Sequence, residues 1–433
     1  MKKTAILIAG LIVAAMFGAT CYSSVKTEKI FTAQTEKMRE LYGPMLGVSL
    51  DNYERGFFHS QAKTTLQVGQ ATPVHMLHRV THLPWGARVV TTVDQGVYAD
   101  EDLAAIREQL PLDQLKLVCH FGITGSSDAK MEIPAIVMEQ NGAKISLAGI
   151  GLSGGLNAAM DRGDFDVRIA SLQVQSTDEK DLAIAGLRYF GTYREVNGFP
   201  LGEGAFQLDD IQAMHGDIVT HALKKLLCRF NSTLTDQTLN EYVDITFGNI
   251  AVLDASCSSG QLKFDITGLD AESVRAIREV YRGSSAAALD GGDVDPFMLQ
   301  LQVMSKGMEL LQKGMRFKLD ALRLEHANGS MSAEGFVDLK KREDGSAPAF
   351  DLKNIEAQAN LHFDKGAFAD GYRLASALRG NRSLAEDLSR QAETLAQSLL
   401  AQGVLIQAED GGLSADLSFA DGKASLNGKP MSR

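Results

Sequence analysis

A chain of 433 residues with 45% hydrophobic content holds enough apolar material for a large core or for an elongated structure of several units, which excludes a disordered protein. Its formal net charge of -11, with no dense Lys/Arg run beyond the extreme N-terminus, excludes a surface built to attract nucleic-acid phosphates. Lys2 and Lys3 precede an uncharged stretch from Ala5 to Tyr22, close to the length that crosses a bilayer as a helix. Residues 1–23 are therefore expected to be a membrane anchor. A cleaved signal segment stays open as an alternative, while Cys21, preceded by Gly18 and Thr20, fits lipoprotein attachment poorly. Two Lys on the short leading side and a long acidic trailing side place the body of the protein outside the cytoplasm.

Residues 24–43 read as a helical stalk, with Ile30, Phe31, Met38 and Leu41 on a rough face and Gly43 at its end. Residues 44–205 alternate apolar and polar positions between Gly, Asn, Asp and Ser turns, the signature of strand after strand, with a hairpin signal at Asn141 and Gly142. HGDIVTHALKKLLC (215–228) has a helical appearance, with Ile218, Ala222, Leu223 and Leu226 carrying its burial.

Three stretches share one layout: VVTTVDQGVYADEDLAAIREQ, LKFDITGLDAESVRAIREVY and ANLHFDKGAFADGYRLASAL. Each reads as a strand, then Asp and Gly (Asp94 and Gly96, Asp265 and Gly268, Asp364 and Gly366), then an amphipathic helix. The second and third copies continue into a second helix and two strands, giving α+β modules at 206–345 and 346–433. The fold class expected is α+β, with long antiparallel sheets, covering helices and an N-terminal membrane helix.

Candidate sites are few. In NYERGFFHS (52–60), Tyr53, Arg55, Gly56, Phe58 and Ser60 read as a structural turn in which Gly56 supplies a positive φ, and His59 and Ser60 face opposite sides of a strand. GIGLSG (149–154) matches a dinucleotide-binding pattern but runs on into another strand. His78 and His82 share a strand face that His75 opposes, which suits solvated histidines better than zinc ligands. Cys228 and Cys257 form the shortest exported loop and the favoured disulfide. Met298, Met304, Met308 and Met315 fall in one helix and offer an apolar partner face. No catalytic, cofactor or metal constellation emerges.

NYERGFFHS also resembles the Tyr-x-Arg-Gly-x-Phe-x-Ser signature of the YdgA-like family, bacterial inner-membrane proteins that carry a domain of unknown function. VDQG at 93–96 resembles that family's Val-Asp-His-Gly segment, with Gln95 in the His place, and FADGKASLNGKPMS resembles its terminal hairpin. The resemblance implies a single-pass protein of the inner membrane facing the periplasm, and it brings no catalytic residues. A tethered scaffold or interaction protein, with an envelope partner or with itself, is the first expectation. A lipid-handling protein with an apolar sheet face is the second, and an enzyme of unidentified class is the third.

Overall fold

The computed structural model describes residues 16, 19–20, 22–33, 35–36, 47–67, 73–97, 115–140, 142–216, 218–289, 295–341, 352–380 and 383–431. The expected anchor lies outside the described residues, apart from Met16, Ala19, Thr20, Tyr22 and Ser23, which are helical. No helix among the described residues is long and apolar enough to cross a membrane.

The described strands join into one antiparallel sheet of 23 strands. In chain order these are β1 (Gly47–Glu54), β2 (His59–Gln67), β3 (Val74–Leu83), β4 (Gly86–Val93), β5 (Lys116–Gly122), β6 (Ser127–Ile133), β7 (Ile136–Gln140), β8 (Ala143–Leu156), β9 (Arg162–Gln175), β10 (Lys180–Val196), β11 (Phe199–His215), β12 (Ile218–Thr235) and β13 (Thr238–Phe247). There follow β14 (Asn249–Val252), β15 (Ala255–Cys257), β16 (Ser259–Asp270), β17 (Met315–His326), β18 (Gly329–Leu339), β19 (Ile355–Phe363), β20 (Ile406–Gln407), β21 (Leu413–Ala420), β22 (Lys423–Leu426) and β23 (Lys429–Pro430). Helices α1 (Ala271–Leu289) and α2 (Pro296–Gln312) lie between β16 and β17. Helices α3 (Ala367–Leu378) and α4 (Ala385–Ala401) lie between β19 and β20.

Each strand pairs with a near neighbour in sequence, so the sheet is essentially one meander. Among the described strands four places depart from this, two of them the pairings of β13 with β16 and of β19 with β21. Pro134 and Ala135 split the partner of β8 into β6 and β7, and β12 pairs with β13 along one half and with β14 along the other. The sheet also runs through the module boundary expected at 205–206, which falls inside β11. Residues 218–228, expected in a helix, are strand, and His215 ends the strand before.

That misreading has a geometric cause. Register places Leu147, Leu172, Ile184, Ile211 and Leu223 in one row across β8 to β12. Ile150, Ile169, Leu187, Leu208 and Leu226 occupy the next apolar row, three residues away in every strand instead of two. Between the rows sit Gly149, Gly186 and Lys225, in alternate strands, with φ of 55°, 65° and 54°. A left-handed residue breaks the period-two alternation once. Phe247 and Ile250, also three apart, both pack on the cluster of Val252, Ala255, Cys257, Leu374 and Ala377, so the two half-strands keep their apolar groups on one side. In β12 the resulting spacing imitates a helix.

This crease is testable by two opposite substitutions. A Cβ on Gly186 would lie 2.0 Å from Asp209 Oδ2 at a left-handed φ, so Gly186→Ala is expected to destabilise the fold by about 1–2 kcal/mol. Lys225→Gly is expected to shift the urea midpoint upward by relieving a left-handed side chain. Equal, same-sign shifts in the two variants would contradict the crease.

Candidate functional site

Because register partners share a face, the apolar side can be followed strand by strand. On β9 to β12 it carries Phe165, Val167, Leu187, Tyr189, Phe206, Cys228 and Phe230. Val243 and Ile245 on β13 pass it to Phe264 and Leu262 on β16, then to Leu319 and Leu322 on β17. Ala333 and Gly335 on β18 pair with Leu361 and Ala359 on β19, which pair with Ala415 and Leu417 on β21. From β8 to β21 this side spans about 50 Å at the usual strand spacing.

Aromatic rings pave part of it. Phe165 and Tyr189 lie 4.7 Å apart, Tyr189 and Phe230 6.0 Å, and Phe264 and Phe317 5.6 Å, between ring centroids. Glycines make room for the rings: a Cβ on Gly204 would meet Phe230 at 2.4 Å. The side is not covered like a core. Tyr189 is 40% exposed, Phe317 36%, Val337 39%, Leu361 38% and Leu417 44%. Helix α3 packs through Leu374 and Ala377 near Phe247, Ile250 and Leu324, at one end only. Exposed apolar side chains gathered on neighbouring strands, Phe317, Val337, Leu361 and Leu417 on β17 to β21, mark a binding surface.

The opposite side is ionic. Arg188 holds Asp166 through two bonds of 3.0 and 2.7 Å, and Arg168 holds it as well, keeping the Asp166 carboxyl well below the usual carboxylate range. Asp244 lies between Arg229 and Lys263, at 3.8 and 3.9 Å, and Lys340 meets Glu356 at 3.0 Å. The sheet is thus two-sided, with water suited to one face and apolar matter to the other.

At its N-terminal end the apolar side is closed. Helical residues Thr20, Ser23, Ser24, Thr27 and Phe31 recur at helical spacing and are buried against β1 to β5. Ser23 Oγ donates to Gly86 O at 2.6 Å and Ser24 Oγ to Gly56 O at 2.8 Å. Phe31 packs among Ala62, Val80, Ala87, Val89 and Phe121. The described part of the expected stalk, residues 24–33 and 35–36, is therefore helical but docked; residues 34 and 37–43 lie outside the described residues.

Beneath this helix lie the histidines, which corrects the expectation of solvated ones: His78 is 7% exposed and His82 3%. His78 bonds Thr64 at 2.7 Å and Thr91 at 2.8 Å, and Phe31 meets its ring edge-on at 5.0 Å. Ser60 Oγ, which accepts from Gly56 N at 3.0 Å, lies 2.7 Å from His82 Nε2. That pair resembles a nucleophile and base, yet His82 Nδ1 has no partner among the described residues and no carboxylate orients the ring. Buried under a helix, the contact is structural. His75, on the other face, bonds Thr65 at 3.0 Å.

The turn motif is real but differently built. Gly56 does not have a positive φ; it is required because a Cβ would lie 2.0 Å from His59 O. Arg55 reaches Glu28 of the docked helix at 3.5 Å, Tyr53 packs beside Phe31, and Phe58 is 50% exposed. GIGLSG lies within β8. Cys228 and Cys257 are free thiols, which corrects the disulfide: Cys228 pairs with Phe206 and Ile245, whereas Cys257 is buried on β15 opposite Ile250. Of the methionines, Met298 and Met304 are exposed on α2 and Met308 is half-buried, while Met315 belongs to β17.

The shared Asp and Gly positions diverge. Asp94 pairs with Lys63 at 2.9 Å and accepts from Gly96 N, and Asp364 accepts from Ser330 N and Oγ just before Gly366, which precedes α3 at φ 93°. Asp265 and Gly268 instead lie inside β16, and Asp270 caps α1 through Ser273. His362 bonds Asp410 at 3.0 Å and Asp364 at 3.3 Å, and these three offer one ligand atom each within 4.8 Å of one another. Asp364 is already committed to Ser330, and the arrangement is accounted for as a hydrogen-bonded cluster.

The closed end makes stability depend on pH. Burial pushes the His78 imidazole down to about 4, so the unfolded chain binds its proton first as pH falls. Stability is fully present above about pH 6.5 and falls through the window down to about pH 4, by on the order of 3 kcal/mol. His78→Gln, which keeps a donor and an acceptor, is expected to flatten that slope in thermal melts between these limits, and an unchanged slope would remove His78 as its source.

No curated protein matches this sequence, and no solved structure matches it. One family does, over residues 1–433. The match covers the whole two-sided sheet and its closed end, and the chain belongs to this family, described as bacterial protein of unknown function (DUF945).

Proposed function

We propose that this protein binds acyl lipids on the open apolar side of its sheet. The carrying observation is that Phe317, Val337, Leu361 and Leu417, on four consecutive paired strands, stay exposed on one face. A protein interface of ordinary size places polar groups among its apolar ones to fix register. Here the polar groups sit on the opposite face, and the apolar one offers width without directional bonds, which suits chains that slide and vary. The uncharged stretch from Ala5 to Tyr22 supplies membrane attachment in this reading, with the body in the periplasm, as the YdgA-like resemblance implies. No covalent step is involved.

The test is photo-crosslinking of the full chain in intact bacteria, with benzoylphenylalanine at Tyr189, Val337, Leu361 or Leu417 and, as controls, at Glu334, Lys340 or Gln358 of the polar side. Lipid adducts, identified by mass spectrometry after solvent extraction, are expected at the first set alone. Adducts confined to proteins at those positions would overturn the proposal in favour of a tethered interaction protein. Val337→Lys with Leu361→Lys, at exposed sites, is expected to leave the thermal midpoint near wild type and to cut lipid recovery several-fold.

A further inference from the structure

Helix α2 is apolar on two sides. Leu299, Val303 and Leu310 fall on one face and are half-buried. Phe297, Leu301 and Met304 fall on the other, around half-buried Met308, with Met298 on the flank near Ser305; Phe297, Leu301, Met304 and Met298 are 64, 43, 57 and 50% exposed. Gln302, Ser305 and Glu309 are exposed between the two faces. One apolar face accounts for packing within the protein. The second needs another occupant.

We infer that this ridge is a membrane-contact element that dips into the bilayer surface and brings the open sheet to its lipid; the inference rests on the acyl-lipid reading of the sheet. Two observations choose a bilayer over a folded partner. The ridge exposes on the order of 450 Å² of apolar side chain, well below the roughly 800 Å² per partner that a stable protein interface buries. Its helix also leads directly, through the chain, into the proposed binding face. After Lys313 and Gly314 the chain enters β17, where Met315 and exposed Phe317 begin the apolar side. A partner protein on the ridge would leave that continuity unused, whereas a bilayer supplies acyl chains to both. Flexible Met side chains beside Phe297 and Leu301, with a polar flank of Gln302, Ser305 and Glu309, suit shallow insertion of an interfacial helix.

The chain has a single tryptophan, Trp85, so fluorescence can report one site at a time. In a Trp85→Phe background, Leu301→Trp, Met304→Trp and, as control, Gln302→Trp would each be made in the full chain. Each is reconstituted into phosphatidylcholine vesicles with or without bromine on the acyl chains. Bromine quenching at Leu301→Trp and Met304→Trp at least twofold above Gln302→Trp is expected, together with blue-shifted emission. Quenching equal to the control, or blue-shifted emission without quenching, would overturn the inference, the latter by placing the ridge against protein. Lipid crosslinks at Val337 with an unquenched ridge would sink this inference alone, and absence of both would sink the lipid reading too.

Discussion

Everything in this molecule depends on an uninterrupted antiparallel register. Side chains alternate with period two, so the face that one strand gives to apolar residues is imposed on its neighbour through each cross-strand pair. Tyr189 fixes Phe206, Phe206 fixes Cys228, and the assignment travels through Ile245 and Leu262 to Leu322. A one-residue slip anywhere would turn ionic side chains such as Asp166 and Arg188 toward apolar matter. The crease at Gly149, Gly186 and Lys225 is the one coordinated departure across β8 to β12, and it keeps the apolar side continuous where simple alternation would have switched it.

The same constraint explains why burial is concentrated in a few places. Tight packing occurs where an element outside the meander lands on the sheet. The N-terminal helix does so at Phe31, α3 at Leu374, and the start of α1 at Phe199 and Leu201. Between these places the stabilisation is local, from neighbouring strands and rings laid over glycines. That is a stable way to build a wide surface without filling it, at the cost of leaving apolar area in water unless something binds there.

Much of the strand region was legible. Alternation located β1, β2 and β4 to β10, and Gly142 marked the turn before β8 because it must be left-handed there. The strand at 218–235 was not legible, because a phase shift at Lys225 gives Leu223 and Leu226 the spacing of a helix. The burial of His78 and His82 was hidden for another reason. Alternation shows that they share a face, but not that residues far upstream cover it; the available signal was Thr20, Ser23, Ser24, Thr27 and Phe31 at helical spacing. The alternation along residues 44–205 pointed to antiparallel sheets, and the expected covering helices would have closed one face of them. Sequence periodicity carries no information about that cover, which is where the candidate surface was missed.

The two ends of the apolar side differ in kind. One is polar beneath, bonded to a helix and closed; the other, from β17 to β21, is apolar and exposed away from the place where α3 lands. The most direct measurement is native mass spectrometry of the full chain released from detergent micelles, with the Val337→Lys, Leu361→Lys double variant alongside. Retained masses equal to whole acyl lipids on the native chain, lost in the variant, are what the acyl-lipid account predicts. A bare chain mass for both proteins would contradict it.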